Sequence, residues 1–234
     1  MKNIIITGTS SGIGKAIAEL YLERGEKVTG IGRRHTIVHV NYTPVNCDLS
    51  DKQAVEQLTF ELSGACLLIN NAGILGNVQR ISDQDKTDMD AVFNVNVIAP
   101  AVLMNTLSKA CGDQFPLTFV NISSGAAQRA IPSWAAYCAS KAALEMLSET
   151  FYLEEQEKGR MTTVYAVAPG VVDTNMQAGI RSVSSENFSA LAGFQAYKDN
   201  NELDNPRTTA LKLEKLLNLP YDGTVRFSLR DIDL

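Results

Sequence analysis

The sequence predicts a single α/β domain in which a doubly wound parallel sheet lies between two layers of helices. Three observations predict this three-layer fold. Short apolar runs alternate with longer stretches of helical period from one end of the chain to the other. The runs are continuously apolar, which is typical of parallel strands covered on both faces. No linker, internal repeat or low-complexity tract interrupts the series, so residues 1–234 are predicted to form one domain.

Each element follows from a local pattern. The apolar runs predict strands over 4–6, 28–31, 45–47, 67–69, 117–122, 163–167 and 223–229. The helical periods predict helices over 15–24, about 51–62, about 82–110, about 134–157 and 208–217. Gly25 ends the first helix, Ser50 and Ser82 are the predicted caps of the second and third, and Pro100 is expected to bend the third. Residues 175–205 are polar and irregular, and they resist assignment.

Composition excludes several classes of function. The 234 residues carry 21 basic and 26 acidic side chains, a net charge of −5, which argues against nucleic acid and acidic membranes as partners. Only two histidines are present, so histidine-rich metal chemistry or a Ser-His-Asp hydrolase is hard to build. The four cysteines form no CxxC pair and are predicted to be free thiols in a reducing cytoplasm. The first residues predict no signal peptide, and no uninterrupted apolar run in the sequence approaches the roughly 20 residues of a membrane helix.

A glycine-rich turn directly follows the first predicted strand and opens the first helix. Its residues are the candidate cofactor contacts Gly8, Thr9, Ser10, Ser11, Gly12, Ile13 and Gly14, spaced GxxxGxG. Glycine lets the backbone approach a pyrophosphate, and the helix amino end offers free N–H groups and a positive dipole. A plain structural turn is the alternative, but the position after the first strand favours a dinucleotide site.

The ends of the next strands supply further cofactor candidates. Arg33 and Arg34 follow the second strand, where an acidic residue would bind a ribose 2′-hydroxyl. Guanidinium groups suit a 2′-phosphate instead, which favours NADP(H) over NAD(H), with Arg33 the stronger candidate; two solvated surface arginines are the alternative. Asp48, followed by Leu49, could accept from the adenine amino group or serve as a turn residue. The remaining candidates, after the fourth strand, are Asn71, Ala72 and Gly73.

A second constellation lies in the carboxyl half. Ser124 closes the fifth strand, and Tyr137 and Lys141 are four residues apart on one helix face. Free tyrosine has a pKa of about 10, but a nearby ammonium favours the phenolate, so a tuned phenol can give a proton to a carbonyl oxygen as hydride arrives. Ser124 can hydrogen-bond the same oxygen. A surface Tyr–Lys pair and a serine hydrolase are the alternatives; the hydrolase usually needs GxSxG around the serine, which is missing.

Together these residues resemble the short-chain dehydrogenase/reductase family, whose single domain has the Rossmann-type fold. The resemblance covers nearly the whole chain. It implies that Asn96 completes a catalytic tetrad with Ser124, Tyr137 and Lys141 and holds a proton-relay water, and that Lys141 also contacts the nicotinamide ribose. It further implies that the segment containing Pro169, Gly170, Val172 and Thr174 meets the nicotinamide amide. Arg33 and the stretch 203–207 are most similar to the sepiapterin reductase and benzil reductase branch.

Two stretches depart from the family pattern. The segment from Arg34 to Cys47 is short, so the helix usually found between the second and third strands is expected to be lost or reduced. The carboxyl end lacks the Gly-Gly that commonly ends family members. Residues of about 175–205 are predicted to form a substrate lid, whose apolar side chains either enclose an aromatic or alkyl ketone or pack the lid onto the domain. Trp134 either lines that pocket or only begins its helix.

The predicted function is an NADPH-dependent carbonyl reductase acting on a ketone or dicarbonyl. Two alternatives remain: a 3-oxoacyl carrier-protein reductase, and a non-catalytic dinucleotide sensor on the same fold. The first needs a basic docking patch at the pocket mouth, where Arg181 is the only base placed before Lys198. The helix of Tyr137 is rich in small residues, and the family commonly associates through it, so a homodimer or homotetramer is expected.

Overall fold

A computed structural model describes residues 2–113 and 115–234. It confirms the predicted fold class: a seven-stranded, all-parallel sheet in the order β3-β2-β1-β4-β5-β6-β7. The strands are β1 (Asn3–Thr7), β2 (Val28–Gly32), β3 (Tyr42–Asn46), β4 (Cys66–Asn70), β5 (Leu117–Ile122), β6 (Thr162–Ala168) and β7 (Arg226–Ser228). Strand order reverses between β1 and β4, and a crevice at such a switch point is where open α/β sheets bind ligands.

Helices cover both faces of the sheet. They are α1 (Gly12–Glu23), α2 (Lys52–Glu56), α3 (Lys86–Phe93), α4 (Ala99–Cys111), α5 (Ala135–Glu157), α6 (Asn175–Arg181), α7 (Leu191–Asp199) and α8 (Pro206–Leu217). Side chains alternate across β4: Leu67 and Ile69 pack in the core layer with α1 and α8, whereas Leu68 packs in the opposite layer with α4. This period of two in a fully buried strand explains why its sequence is continuously apolar.

The second helix is much shorter than predicted, and the prediction of Ser50 as its cap is wrong. Asp51, not Ser50, accepts from the first-turn N–H groups of α2, because the Ser50 hydroxyl donates to Asp48. Beyond α2, Leu58, Phe60 and Leu62 are half-buried while the residues between them are exposed. That alternation fits extended chain laid against the core, so tertiary burial replaces the predicted helix.

The third predicted helix is two helices joined by a π turn over Asn94–Ile98. Asp85 caps α3 by accepting from Thr87, so the prediction of Ser82 as the cap is wrong. The irregularity predicted near Pro100 is found: the backbone stays helical from Lys86 to Cys111, and the π turn comes just before Pro100, which has no N–H to donate within the helix.

Segments without a firm prediction have a definite structure. Residues 175–205 contain α6 and α7, and no helix lies between β2 and β3, which confirms the expected loss. The stretch Lys86–Cys111 is long and apolar enough to cross a membrane by length and composition alone, but 56% of its most apolar window is buried inside the protein. Since α4 packs on β4 and β5, this stretch is accounted for as a core helix.

Candidate active site

Two adjoining cavities open at the carboxyl ends of the central strands. The first, of about 440 Å³, runs from the glycine turn past the ends of β2, β3 and β4 to Lys141. The second, of about 560 Å³, lies between the end of β5, the start of α5, and helices α6 and α7. Tyr137, Pro169, Thr174 and Met176 line both cavities, so the two spaces meet at the phenol predicted to be catalytic.

The turn between β1 and α1 has the geometry of an anion cradle. Gly8 and Gly12 have positive φ values of 74° and 59°, which side chains rarely adopt. A Cβ on Gly14 would lie 2.2 Å from Asn71 Nδ2 and 2.5 Å from Gly8 O, so only glycine fits there. Ser11 makes no side-chain cap, and the first turn of α1 holds no acidic residue. The free N–H groups and dipole at this helix end therefore suit the pyrophosphate of a dinucleotide.

The segment after β4 holds the turn in place. Asn71 Nδ2 donates to Thr7 O at 2.9 Å and to Gly8 O at 3.2 Å, and the Thr7 hydroxyl accepts from the backbone of Asn71 and Ala72. The preceding residue, Asn70 at the end of β4, donates from its side-chain amide to Asn121 Oδ1 of the neighbouring strand β5 at 2.8 Å. These bonds tie the ends of β1, β4 and β5 together at the sheet edge that carries the site.

Arg33 and Asp48 line the part of the groove next to the ends of β2 and β3, where the adenosine is predicted to bind. Asp48 Oδ1 accepts from the Ser50 backbone and hydroxyl, which lowers the pKa of the carboxyl, and Arg33 lies 3.7 Å from Oδ2. Asp48 is therefore a turn residue that also faces the arginine. The Arg33 side chain is 65% exposed, which leaves most of its guanidinium accessible to a phosphate. Arg34 lines the same groove.

Sequence reasoning missed the residues that replace the lost helix. The Tyr42 hydroxyl bonds Thr9 Oγ1 at 2.7 Å and His35 Nδ1 at 2.9 Å, and the Thr36 hydroxyl donates to Ser10 O. A Cβ on Gly30 would lie 2.1 Å from the Tyr42 oxygen, so Gly30 is what allows this chain of bonds. The short segment after β2 is thus fastened to the glycine turn.

Tyr137 and Lys141 lie on one face of α5 as predicted. Lys141 Nζ donates to Ile122 O at 2.7 Å and is 5.8 Å from the centroid of the Tyr137 ring. Burial lowers the pKa of Lys141 to about 8, and the negative charge of Glu145, which raises that pKa, offsets only part of the effect. Burial raises the pKa of Tyr137, and a hydrogen bond with Ser124 acts in the opposite direction. The phenol is therefore protonated at neutral pH, beside a lysine that titrates near that range.

Asn96 lies within the π turn, behind the catalytic helix. Its amide nitrogen donates to Ile74 O and Ser140 Oγ, at 2.9 and 3.0 Å, and its oxygen accepts from Ile74 N. A Cβ on Gly73 would approach both Asn96 Oδ1 and Lys141 Nζ, at 3.3 and 3.4 Å, so the tetrad asparagine and lysine flank this glycine. The side chain of Asn96 is therefore fully engaged and buried, and Asn96 lines neither cavity.

Glu145 is a further buried group that the sequence did not reveal. It is 4% exposed, accepts from the Ser123 hydroxyl at 2.6 Å, and lies 3.6 Å from Arg226 Nε of β7. Its position one turn after Lys141 places a carboxylate on the same face of α5 as the lysine. The sequence does show that Glu145 follows Lys141 by four residues. It does not show that Glu145 is buried, because β7, which carries Arg226, covers it only in the folded protein.

An aromatic cluster forms one side of the second cavity. Trp134 stacks on Phe188 with ring centroids 5.4 Å apart, meets Tyr137 edge-on at 5.6 Å and touches Phe194 at 5.1 Å. Trp134 thus both precedes α5 and lines the pocket. Phe188 is fully buried and packs the 175–205 segment onto the domain, whereas Phe194 and Tyr197 line the cavity. Asp173 pairs with Lys198 at 2.7 Å, which fastens α7 to the end of β6.

Most predicted site residues come together, and their binding roles stay predictions. The residues in the first cavity are Gly8, Ser10, Ser11, Gly12, Ile13, Arg33, Arg34, Asp48, Leu49, Asn71, Ala72, Gly73, Tyr137, Lys141, Pro169 and Thr174. Ser124, Gly170 and Val172 line the second cavity instead. Thr9 and Gly14 are buried beneath the turn, so they shape it rather than face the groove.

The fold and this site define a class of protein. The family model for short chain dehydrogenases matches residues 2–184. The chain therefore belongs to the short chain dehydrogenase family, nicotinamide-dinucleotide oxidoreductases that act on carbonyl or alcohol groups.

Individual relatives are similar over most of the chain. A benzil reductase ((S)-benzoin forming) from Bacillus subtilis is 33% identical, over 99% of this chain and 98% of its own. A 3-oxoacyl-[acyl-carrier-protein] reductase from Rickettsia prowazekii is 34% identical, over 75% and 74%. The crystal structure of a short chain dehydrogenase/reductase from Saccharomyces cerevisiae superimposes with a TM-score of 0.82 at 29% identity, over 99% and 97%.

Proposed function

We propose that the protein is an NADPH-dependent carbonyl reductase that reduces aromatic ketones and vicinal dicarbonyls. The observation that carries this proposal is the position of Tyr137, which lines both the dinucleotide groove and the aromatic cavity beside Ser124 and Lys141. A proton donor at the junction of a cofactor space and a substrate space is what carbonyl reduction requires.

Each member of the tetrad has a separate task. The Ser124 hydroxyl hydrogen-bonds the substrate oxygen, and Tyr137 gives that oxygen its proton. Lys141 favours the phenolate that results, because a cation near the ring stabilises the anion. Asn96, through its backbone carbonyl, holds the water that returns a proton towards the lysine. The residues of the first cavity bind the dinucleotide, whose reduced nicotinamide supplies the hydride when bound.

The proposal is tested by turnover of benzil and related aryl ketones with NADPH, followed as loss of the reduced cofactor. We expect reduction of benzil to a hydroxyketone. Binding of NADPH without turnover of any carbonyl in a broad panel would contradict an enzymatic role and support the dinucleotide sensor.

The preference for NADPH rests on Arg33. Its exposed guanidinium stands at the end of β2, where it can bind a 2′-phosphate by a planar fork. We expect Arg33→Ala to weaken NADPH binding by about 10- to 100-fold, the value of a charge-assisted hydrogen bond, and to change NADH binding by less than about threefold. Fluorescence titration with both cofactors at one ionic strength measures this.

Arg34→Ala is the matched control, because it removes the same charge one residue further along the same groove. We expect a smaller loss for NADPH than Arg33→Ala gives. Equal or tighter binding of NADH by the unaltered protein would overturn the NADP assignment and point to NAD-linked alcohol oxidation.

The aromatic cavity supports an aryl substrate, and residues 175–205 are proposed as its lid. Trp134, Phe194 and Tyr197 line this cavity, and aromatic pairs are attractive beyond their buried area. The benzil reductase relative acts on a substrate whose name denotes two aryl groups and two adjacent carbonyls. That chemistry matches a cavity with one aromatic side.

A second candidate, 3-oxoacyl carrier-protein reductase, is favoured by basic residues at the second cavity. Arg129, Arg226 and Arg230 line it. All three lie outside the lid, whereas the sequence analysis considered only basic residues within the lid. Arg226 is already paired with Glu149 at 2.6 Å. Comparing kcat/KM for an acyl chain attached to carrier protein and to a short thiol separates the candidates: a gain with carrier protein of about 100-fold or more would favour the second.

The protein is further proposed to act in the cytoplasm and to self-associate. The free thiols of Cys47, Cys66 and Cys111 are buried, which suits a reducing compartment. Met146 and Leu153 on α5 are 58% and 60% exposed, which gives that helix an apolar face for a second copy.

A further inference from the structure

Two successive turns of α5 bind the end of β5. Lys141 Nζ donates to Ile122 O at 2.7 Å, and Glu145 Oε1 accepts from the Ser123 hydroxyl at 2.6 Å. Ile122 is the last residue of β5, and Ser123 leads directly into Ser124. Both contacts lie on the helix face that carries the proposed proton donor one turn earlier, so they set the position of Ser124 relative to that phenol.

Glu145 is a buried carboxylate to which the proposed mechanism gives no task. It is 4% exposed. Besides the bond from Ser123, Gln128 Nε2 donates to Glu145 Oε2 at 3.4 Å, and Arg226 Nε lies 3.6 Å from the same oxygen. A carboxylate removed from water is costly unless its partners compensate for the lost hydration. The partners come from the end of β5, the turn that follows it and β7, so Glu145 joins three separate segments of the site.

Glu145 also acts on the site through its charge. It follows Lys141 by one turn of α5, and its negative charge raises the pKa of the lysine against the effect of burial. The other ionisable groups at this contact, among the described residues, are Tyr137 beside the lysine and Arg226 of β7. Arg226 pairs more closely with Glu149, at 2.6 Å. Glu145 is thus the carboxylate that acts on both the end of β5 and the lysine.

We propose that Glu145 is a positioning residue of this site, which acts through Ser123 and Lys141. This inference rests on the proposed carbonyl reductase function. By binding the Ser123 hydroxyl, Glu145 holds Ser124 where its hydroxyl and that of Tyr137 converge on one carbonyl oxygen. Without that bond, the chain is released at the residue next to Ser124. A displacement of reacting groups by about 1 Å can cost about 100-fold in rate.

The hydrogen bond is tested by removing each of its partners. Ser123→Ala removes the hydroxyl and keeps the carboxylate, whereas Glu145→Leu removes the carboxylate. We expect each variant to lower kcat for benzil by about 10- to 100-fold, with less than about a threefold change in the KM for NADPH. Because both remove the same contact, the double variant should lose less than about threefold more than Glu145→Leu alone. Additive losses, or kcat values close to that of the unaltered protein, would overturn the positioning role.

The charge is tested with Glu145→Gln, which keeps an oxygen that can accept from Ser123. In the unaltered protein, reduction should fall as the lysine loses its charge at about pH 8. We expect this limb to move down by about half a pH unit or more in Glu145→Gln, because a negative charge that favours the ammonium is gone. Glu149→Gln is the matched control, since it removes the same charge one turn further along α5, at a side chain that is 35% exposed. It should leave kcat and the limb unchanged.

A measurement without turnover separates this inference from the proposed function. The titration of Lys141 can be followed by ¹³C NMR of its Cε, with the signal identified by its absence from Lys141→Met. A lower midpoint in Glu145→Gln, but not in Glu149→Gln, would support the action of Glu145 on the lysine even in a protein that reduces no carbonyl, and would then overturn only the proposed function. Turnover with an unmoved midpoint would overturn this inference instead. Thermal unfolding of the variants verifies that each is folded.

Discussion

Replacing Tyr137 with phenylalanine is expected to lower carbonyl reduction by about 1,000-fold or more, while NADPH binding changes by less than about threefold. The phenol hydroxyl lies at the junction of the two cavities and is the proposed proton donor, and general acid catalysis contributes about 10²- to 10⁴-fold. A loss of 1,000-fold corresponds to about 4 kcal/mol of transition-state stabilisation. Phenylalanine keeps the ring, and therefore the edge-on packing against Trp134, so the fold should be retained.

Steady-state turnover and cofactor titration of this variant give the two numbers separately. Tyr152→Phe is the matched control, since it removes a phenol from the same helix outside both cavities, and it should leave turnover unaltered. Undiminished reduction by Tyr137→Phe would refute the mechanism. A loss of cofactor binding as large as the loss of turnover would mean that the hydroxyl serves the groove and not the proton transfer.

Replacing Lys141 with methionine is expected to lower reduction at neutral pH by about 100-fold and to change its pH dependence. Burial lowers the pKa of Lys141 to about 8, so the ammonium is charged below that pH and loses its charge above it. The charged form favours the phenolate and makes Tyr137 a better acid. In the unaltered protein, reduction should therefore fall as pH rises through about 8. In Lys141→Met this descending limb should be absent, because the titrating group is gone.

Lys141→Arg is the informative companion, since arginine stays charged throughout this range. It should retain more activity than the methionine variant and also lack the limb near pH 8. A limb that persists in both variants belongs to another group, and Tyr137 is the titratable neighbour to examine next. Methionine fills a similar volume without a buried charge, so the variant is expected to remain folded.

Much of the fold could be predicted because its strands and long helices are locally consistent. The strand at Leu117–Ile122 was predicted with its observed ends, and the helix carrying Tyr137 with an error of one residue at its start. The errors lie where two residues could each cap a helix, or where a segment is buried by contacts with residues distant in the sequence. Ser50 and Asp51 are both good caps, and only the bond from Ser50 to Asp48 decides between them. Helix α6 has seven residues, too few for its period to stand out.

The candidate site divides in the same way. The glycine turn and the Tyr–Lys spacing could be recognised because each is a short motif within one strand–turn–helix or one helix. Tyr42 and Glu145 could not, because their roles depend on residues far along the chain.

By itself, the sequence determined the series of seven strands along the chain, the turn at Gly8–Gly14 and the face of α5 that carries Tyr137 and Lys141. These features depend on interactions between residues close in the chain, where glycine conformation, helical period and capping act. Only the tertiary structure decided which groups meet across the sheet. It buried Lys141 so that its pKa falls to about 8, set Arg33 opposite Asp48, and bound Glu145 to Ser123. Burial and electrostatic coupling arise between distant segments, and for that reason they exist only once the chain has folded.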